Sequence, residues 1–300
     1  MSVNSQGSIS ILPSAGVFHL PDRVALEQGL FEAEGVTAHV AGEWARDVER
    51  AAPTKVGVVL DPVSDAMLTR FDSHGADTFN MCEWGVIHRA EISEKAFRIG
   101  YLRPAVVTQA VLSFRGDVQE PHDLADLPVG VSAFSGQHYT TLQLLEGPLR
   151  RDQLNIVNVR AEVALEYAQA GELAATTVME PFISLALKRG AHIVTSTFYR
   201  GGQVFVESVS EESRAAYVRA VNAAVDVIRT DPARYRSYIT EDAHGALNPD
   251  ELRPDFYRYT YAKELSQKRF DESYGWMSSW GFTSGDSPYE ALVAPVPVTV

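Results

Sequence analysis

Residues 155–197 read NIVNVRAEVALEYAQAGELAATTVMEPFISLALKRGAHIVTST, and their rhythm decides the fold. Asn155 to Val159 is a short apolar run with the look of a strand. Glu162 to Ala170 has helical spacing and stops at Gly171. Ala175 to Met179 is strand-like again, a helix follows over Pro181 to Lys188, Gly190 ends it, and His192 to Thr197 forms one more strand. Strand, helix and strand at this spacing argue for crossover connections, hence for parallel strands covered by helices.

The alternation continues upstream. Val129 to Ser132 is a short strand, Ser135-Gly136 a small-residue turn, and Gln137 to Leu145 a helix whose first N–H groups would border a pocket. Gly116 to Leu127 is a polar connection, and Phe97 to Tyr101 and Val106 to Ser113 read as consecutive strands that carry the chain towards a second lobe. Nearer the start, Ser8 to Leu12 is a strand, Pro21 to Phe31 a helix, Val36 to Val40 a strand and Lys55 to Leu60 an apolar run. A helix over Ser64 to His74 precedes a strand at Asp77 to Met81, and Glu83 to Arg89 turns into another helix. Downstream, Gln203 to Glu207 returns the chain. Ser213 to Thr230 carries an apolar stripe of Ala215, Val218, Val221, Ala224, Val225 and Ile228. The tail to Tyr274 is mostly helical, and Pro295 to Val300 either packs extended or frays.

The 300 residues are 45% hydrophobic, which suits two cores better than one. The formal net charge is -13, with no dense Lys/Arg patch, so neither nucleic acid nor an anionic membrane is an expected partner. No window has transmembrane length, and membrane insertion is not expected. Cys82 is the sole cysteine, which excludes an internal disulfide and a cysteine-cluster metal site. Met1 to Leu12 lacks a basic start followed by a long apolar stretch. As written the chain reads as cytoplasmic, whereas a removed leader would make it periplasmic or extracellular.

Several segments resemble the type II periplasmic-binding-protein superfamily, and within it the NMT1/THI5-like group. They are Ile9 to Pro13 with Ala25 to Val36, Asp123 to Val131, Ala168 to Ala175, and Glu180-Pro181-Phe182. Phe79-Asn80-Met81-Cys82-Glu83-Trp84 is similar to the acidic strand-end segment of the dihydroxyphthalate-decarboxylase-like branch. The resemblance implies an α/β, periplasmic-binding-protein-like type II fold of two lobes with a central ligand cleft. One lobe would hold residues 1–105 and 204–300, and the inserted lobe residues 106–203. Members include transport proteins for small organic nutrients and enzymes acting on aromatic carboxylates or sulfinates. The cysteine-rich signature of the superfamily's thiamin-pyrimidine synthases is absent.

Candidate chemistry centres on Cys82-Glu83, at the strand end where open α/β sheets bind ligands. Cys82 is a nucleophile if a positive neighbour or helix start lowers its pKa, and otherwise a packing residue. Glu83 is a candidate for proton transfer and Trp84 for an aromatic wall. His19, expected in the loop after the first strand, binds a carboxylate or shuttles a proton. Ser132, Ser135, Gly136, Gln137 and His138 form a second wall suited to an anion, although helix capping accounts for some of these hydroxyls. Glu180 and Phe182 are expected to contact ligand, with Glu180 as a cap being the plainer reading. Phe18, Trp44 and Phe198 are further aromatic candidates, while His74 and His88 read as surface or helix-end histidines. No metal, dinucleotide or P-loop motif is visible, and no cofactor is expected. The leading expectation is a cofactor-independent lyase, such as a decarboxylase, for a small aromatic or heteroaromatic anionic metabolite. The alternative is a solute-binding protein of an ABC transporter, with a transporter permease as its partner.

Overall fold

The computed structural model describes residues 7–41, 54–55, 75–93 and 96–298. In chain order the strands are β1 (Ser8–Ile11), β2 (Thr37–Val40), β3 (Thr54–Lys55), β4 (Thr78–Cys82), β5 (Phe97–Ser113), β6 (Pro128–Val131), β7 (Asn155–Asn158), β8 (Ala175–Val178), β9 (His192–Val206) and β10 (Tyr257–Tyr259). The α-helices are α1 (Gly16–Glu27), α2 (Leu30–Ala33), α3 (Glu83–Ile92), α4 (Gly136–Leu145), α5 (Ala161–Gln169), α6 (Phe182–Lys188), α7 (Glu211–Thr230), α8 (Arg236–Thr240), α9 (Gln267–Ser279) and α10 (Tyr289–Leu292).

The strands run in the order β2-β1-β4-β9-β5-β8-β6-β7-β3, with β10 flanking β5. Two parallel groups, β2-β1-β4 and β8-β6-β7, form the sheets of two lobes. Between them run β5 and β9, paired antiparallel along most of their length. These connectors are 17 and 15 residues long, where the sequence suggests two shorter strands for each. Pro104, which cannot donate to a ladder, makes β5 read as broken. The chain absorbs it in a register shift between Leu102 and Val106, and Thr260 N–H bonds the Pro104 carbonyl at 3.0 Å. β3, early in the chain, pairs with β7 of the other lobe.

α1 begins five residues earlier than Pro21 suggests. The Asp242 carboxylate accepts from Gly16 N–H at 2.7 Å, a cap supplied from across the chain and invisible to local reading. His19 therefore stands on a helix and not in the loop expected for it.

α1 and α7 sandwich the base of β5 through a buried polar knot. Arg103 ion-pairs with Asp22, donates to Gln203 Oε1 at 2.8 Å and to the Phe18 carbonyl at 2.7 Å, and Tyr217 donates to Asp22. Burial alone would raise the Asp22 pKa, but Arg103 and His19 hold the carboxyl well below the usual range. Both charges are fully buried, so removing either partner alone would be costly.

The region from Lys55 to Leu60 beyond β3, the helix expected over Ser64 to His74, and Trp44 lie outside the described residues. At the far end Ala294 and Val296 donate to the carbonyls of Ile99 and Gly100, each at 3.0 Å, so the chain packs against β5 there. Among the described residues, no helix is long and apolar enough to cross a membrane.

Candidate functional site

In each lobe the parallel strands point their C-terminal ends at the junction, the place where open α/β sheets take ligands. β1 delivers Ser14 and the start of α1, β4 delivers Cys82 and α3, β6 delivers Ser132 and α4, and β8 delivers Met179. Tyr199 of β9 lies at the centre of this junction. Its ring lies 5.5 Å from Phe18 and 5.7 Å from Trp84, and its hydroxyl donates to Met179 Sδ at 3.7 Å. A Cβ on Gly136, at the head of α4, would lie 2.6 Å from the Tyr199 hydroxyl and 3.2 Å from Cys82 Cβ. The glycine thus lets the second lobe's helix start press directly on the first lobe.

Strand register places a row of polar groups beside Tyr199. Cys82 pairs with Gly201 and Asn80 with Gln203 on β9, while Val107 of β5 pairs with Tyr199. Because side chains alternate with a period of two, Asn80, Cys82, Tyr199 and Gln109 share one face. Asn80 Oδ1 accepts from Ser14 at 2.7 Å, but Asn80 Nδ2 has no protein partner. Trp84 Nε1 and both ends of the Gln109 amide are likewise unpartnered, and all three residues are at least 93% buried. A buried polar group left without a partner costs about 1–3 kcal/mol. Such a concentration, flanked by aromatic rings, is what a site awaiting a polar guest requires.

The residues singled out from the sequence fall into two groups. Cys82, Trp84 and Gly136 meet around Tyr199. The Cys82 Sγ accepts the Gly85 N–H at 3.2 Å, capping α3. The others, His19 Nδ1 apart, have partners or packing of their own. Glu83 receives Arg269 Nε at 2.9 Å on both oxygens, Arg269 Nη2 at 2.5 Å and Ser273 Oγ at 3.0 Å. His19 Nδ1 lies 3.5 Å from Asp22 Oδ2. Ser135 Oγ accepts from Gln137 N–H at 3.2 Å and donates to the Ser132 carbonyl at 2.7 Å, while Gln137 Oε1 accepts from Ser132 N–H at 2.7 Å. This is a closed capping loop, with its side chains turned on its own backbone. His138 Nδ1 accepts from Phe134 N–H at 3.3 Å, and burial pushes the imidazole pKa down to about 4. Glu180 accepts from Ser184 N–H at 3.1 Å and Ser184 Oγ at 2.6 Å, and its burial raises the carboxyl pKa to about 7. Phe182 packs on the second lobe's apolar cluster with Ala110, Leu112 and Val178.

Two expectations are corrected. His88 is buried, bonded to the Tyr139 hydroxyl at 3.1 Å and held neutral by burial with a pKa near 4, so it is no surface histidine. Phe198 is 60% exposed and points to the face opposite Tyr199, so it walls no common cleft. His74 lies outside the described residues.

Sequence reading missed Tyr199 and Gln109. A signal for Gln109 existed, since a lone amide inside the apolar run Val106 to Leu112 has no business in a buried strand without a partner. Tyr199 carries no such mark. Among the described residues no cluster of His, Cys, Asp and Glu could hold a metal.

No family model and no curated protein matches the sequence. Solved structures do match in shape. The alkanesulfonate-binding protein SsuA from Xanthomonas axonopodis pv. citri, bound to MOPS, aligns with a TM-score of 0.71 at 12% identity, over 98% of this chain and 100% of that one. The periplasmic aliphatic sulphonate binding protein SsuA from Escherichia coli aligns at 0.72 and 13%, over 96% and 98%. The desulfurization enzyme DSZB aligns at 0.63 and 12%, over 97% of each chain. The chain has the periplasmic-binding-protein fold, in its type II, two-lobed form.

Proposed function

We propose that this protein is a solute-binding protein that holds a small organic anion between its lobes, at the face carrying Asn80, Trp84, Tyr199 and Gln109. One observation carries the reading: buried donors lack partners at the lobe junction, while Glu83, expected to transfer a proton, is held by Arg269 and Ser273. Asn80 Nδ2 and Trp84 Nε1 can only donate, which favours an acceptor-rich, anionic head group. The rings of Phe18, Trp84 and Tyr199 favour an apolar or flat body beside it. Structural neighbours named as sulfonate-binding proteins support the same class of guest. On this reading the protein works outside the cytoplasmic membrane and hands its solute to an ABC-transporter permease.

A second reading, a cofactor-independent lyase, draws support from the desulfurization enzyme on the same fold. It requires Glu83 to leave Arg269, whereas the N–H that Gly85 donates to Cys82 Sγ at the head of α3 would support a thiolate there. Calorimetric titration with alkanesulfonates, arylsulfinates and aromatic carboxylates, coupled to product analysis, separates the two. Binding with one ligand per chain and no conversion is expected. Trp84→Phe, which keeps a ring but deletes the N–H, should weaken it about tenfold, as loss of one buried hydrogen bond implies. Turnover abolished by Cys82→Ser would establish the lyase instead.

A further inference from the structure

Helix α9 and the segment after it tie both lobes at once. On the first-lobe side, Arg269 and Ser273 of α9 grip Glu83, the first residue of α3. Glu91, near the end of α3, accepts from Tyr274, from Ser284 N–H at 3.0 Å and Oγ at 2.7 Å, and from Ser287 Oγ at 2.9 Å. On the second-lobe side, Trp276 Nε1 and Trp280 Nε1 donate to the two oxygens of Glu146, directly after α4, at 2.8 and 2.9 Å. Arg151 lies 3.9 Å over the Trp280 ring and donates to the Ser279 carbonyl at 2.7 Å and Ser279 Oγ at 3.1 Å. Phe282 inserts its ring edge against Tyr139 at 5.2 Å and His138 at 5.4 Å.

We propose that α9 and the segment to Ser287 form a latch that holds the two lobes closed and lets go on the second-lobe side. The asymmetry comes from chemistry. Glu83 is almost wholly buried beneath a bidentate guanidinium whose outer side is exposed, a charge-assisted grip on a buried carboxylate. Glu146 is only half-buried and is held by two neutral indole donors, and Arg151 is exposed. Separating the lobes must break one set, and the second-lobe set is the weaker. A clamshell with such a latch opens rarely and rebinds its own tail on closing, which lowers the rate of solute entry without needing any change at the ligand-contacting face. The latch rests on the two-lobed fold and not on the identity of the guest.

The test is solution scattering with hydrogen exchange on the full chain, no ligand added. The Glu146→Ala/Arg151→Ala double variant should show a larger radius of gyration than wild type. Amides in the first turn of α4 should exchange about tenfold faster, the population change that loss of a hydrogen bond or two brings. Far-ultraviolet circular dichroism should stay unchanged. Should the double variant fail to fold, Trp280→Phe is read in its place, since it leaves a smaller aromatic ring beneath Arg151 and removes the N–H to Glu146. Folded protein whose scattering and α4 exchange match wild type overturns the latch, as does a wild type that is already open.

Discussion

Glu180, read from the sequence as a ligand contact or a cap, is a buried titrating group bonded to Ser184. Its carboxyl is buried and turned onto Ser184, and burial raises its pKa from 4.5 to about 7. The folded state therefore holds the proton more tightly than the unfolded state. The stability gained is fully present below pH 4.5 and is lost as pH rises through about 7. The loss over that window is on the order of 3 kcal/mol. Glu180→Gln should flatten it, measured as denaturant midpoints between pH 4.5 and 8, and an unchanged slope would show that the carboxyl does not titrate there. His88 and His138 act in the opposite sense. Their depressed pKa values, near 4, make stability fall as pH drops below about 6.5, so the two trends oppose each other between about pH 4.5 and 6.5 and the Glu180 contribution is read as the difference between wild type and Glu180→Gln. At this scale the sequence was a partial guide. Cys82, Trp84 and Gly136 were identifiable because strand ends and small-residue turns mark a sheet's binding edge. Tyr199 was not, because an aromatic residue in a long strand looks the same whether it faces a cleft or a core.

Among the elements, α4 depends on the absence of a side chain at Gly136. A methyl group there would stand 2.6 Å from the Tyr199 hydroxyl, which neither backbone can yield easily. Gly136→Ala should destabilise the protein by about 1–3 kcal/mol, the usual cost of overpacking. Adding Tyr199→Phe should restore part of the loss, because the closest clash disappears, and the coupling is read from a double-mutant cycle of urea midpoints. Simple additivity would mean that α4 and β9 do not press on each other. The alternation of strands and helices across residues 128–197 was readable because each element is short and glycine or proline follows several of them, as at Gly147, Gly171, Pro181 and Gly190. The long connectors were not, because Pro104 mimics a strand end and only the pairing with β9 and Thr260 shows that it is a register shift. The early start of α1 was hidden for a similar reason, since its cap, Asp242, lies 226 residues away.

For the whole molecule, two parallel groups of strands are joined by β5 and β9, and Asn80, Trp84 and Gln109 carry buried polar atoms without partners. The α/β class was legible in the alternating elements, while the two-lobed form was what the resemblance of segments such as Ile9 to Pro13 and Asp123 to Val131 implied. The division into residues 1–105 with 204–300 and residues 106–203 remains a proposal, and the pairing of β3 with β7 shows that one early strand crosses to the other lobe. Function was less legible. Charge and motif gaps excluded classes of partner, whereas the state of Glu83 depended on Arg269, 186 residues away. The central claim is that a guest supplies the acceptors that Asn80 and Trp84 lack. Its most direct measurement is a crystal structure with the tightest ligand from the titrations. The account predicts ligand oxygens within about 3 Å of both Trp84 Nε1 and Asn80 Nδ2, under the Tyr199 ring. A ligand bound elsewhere, with those two nitrogens still without an acceptor, would contradict it.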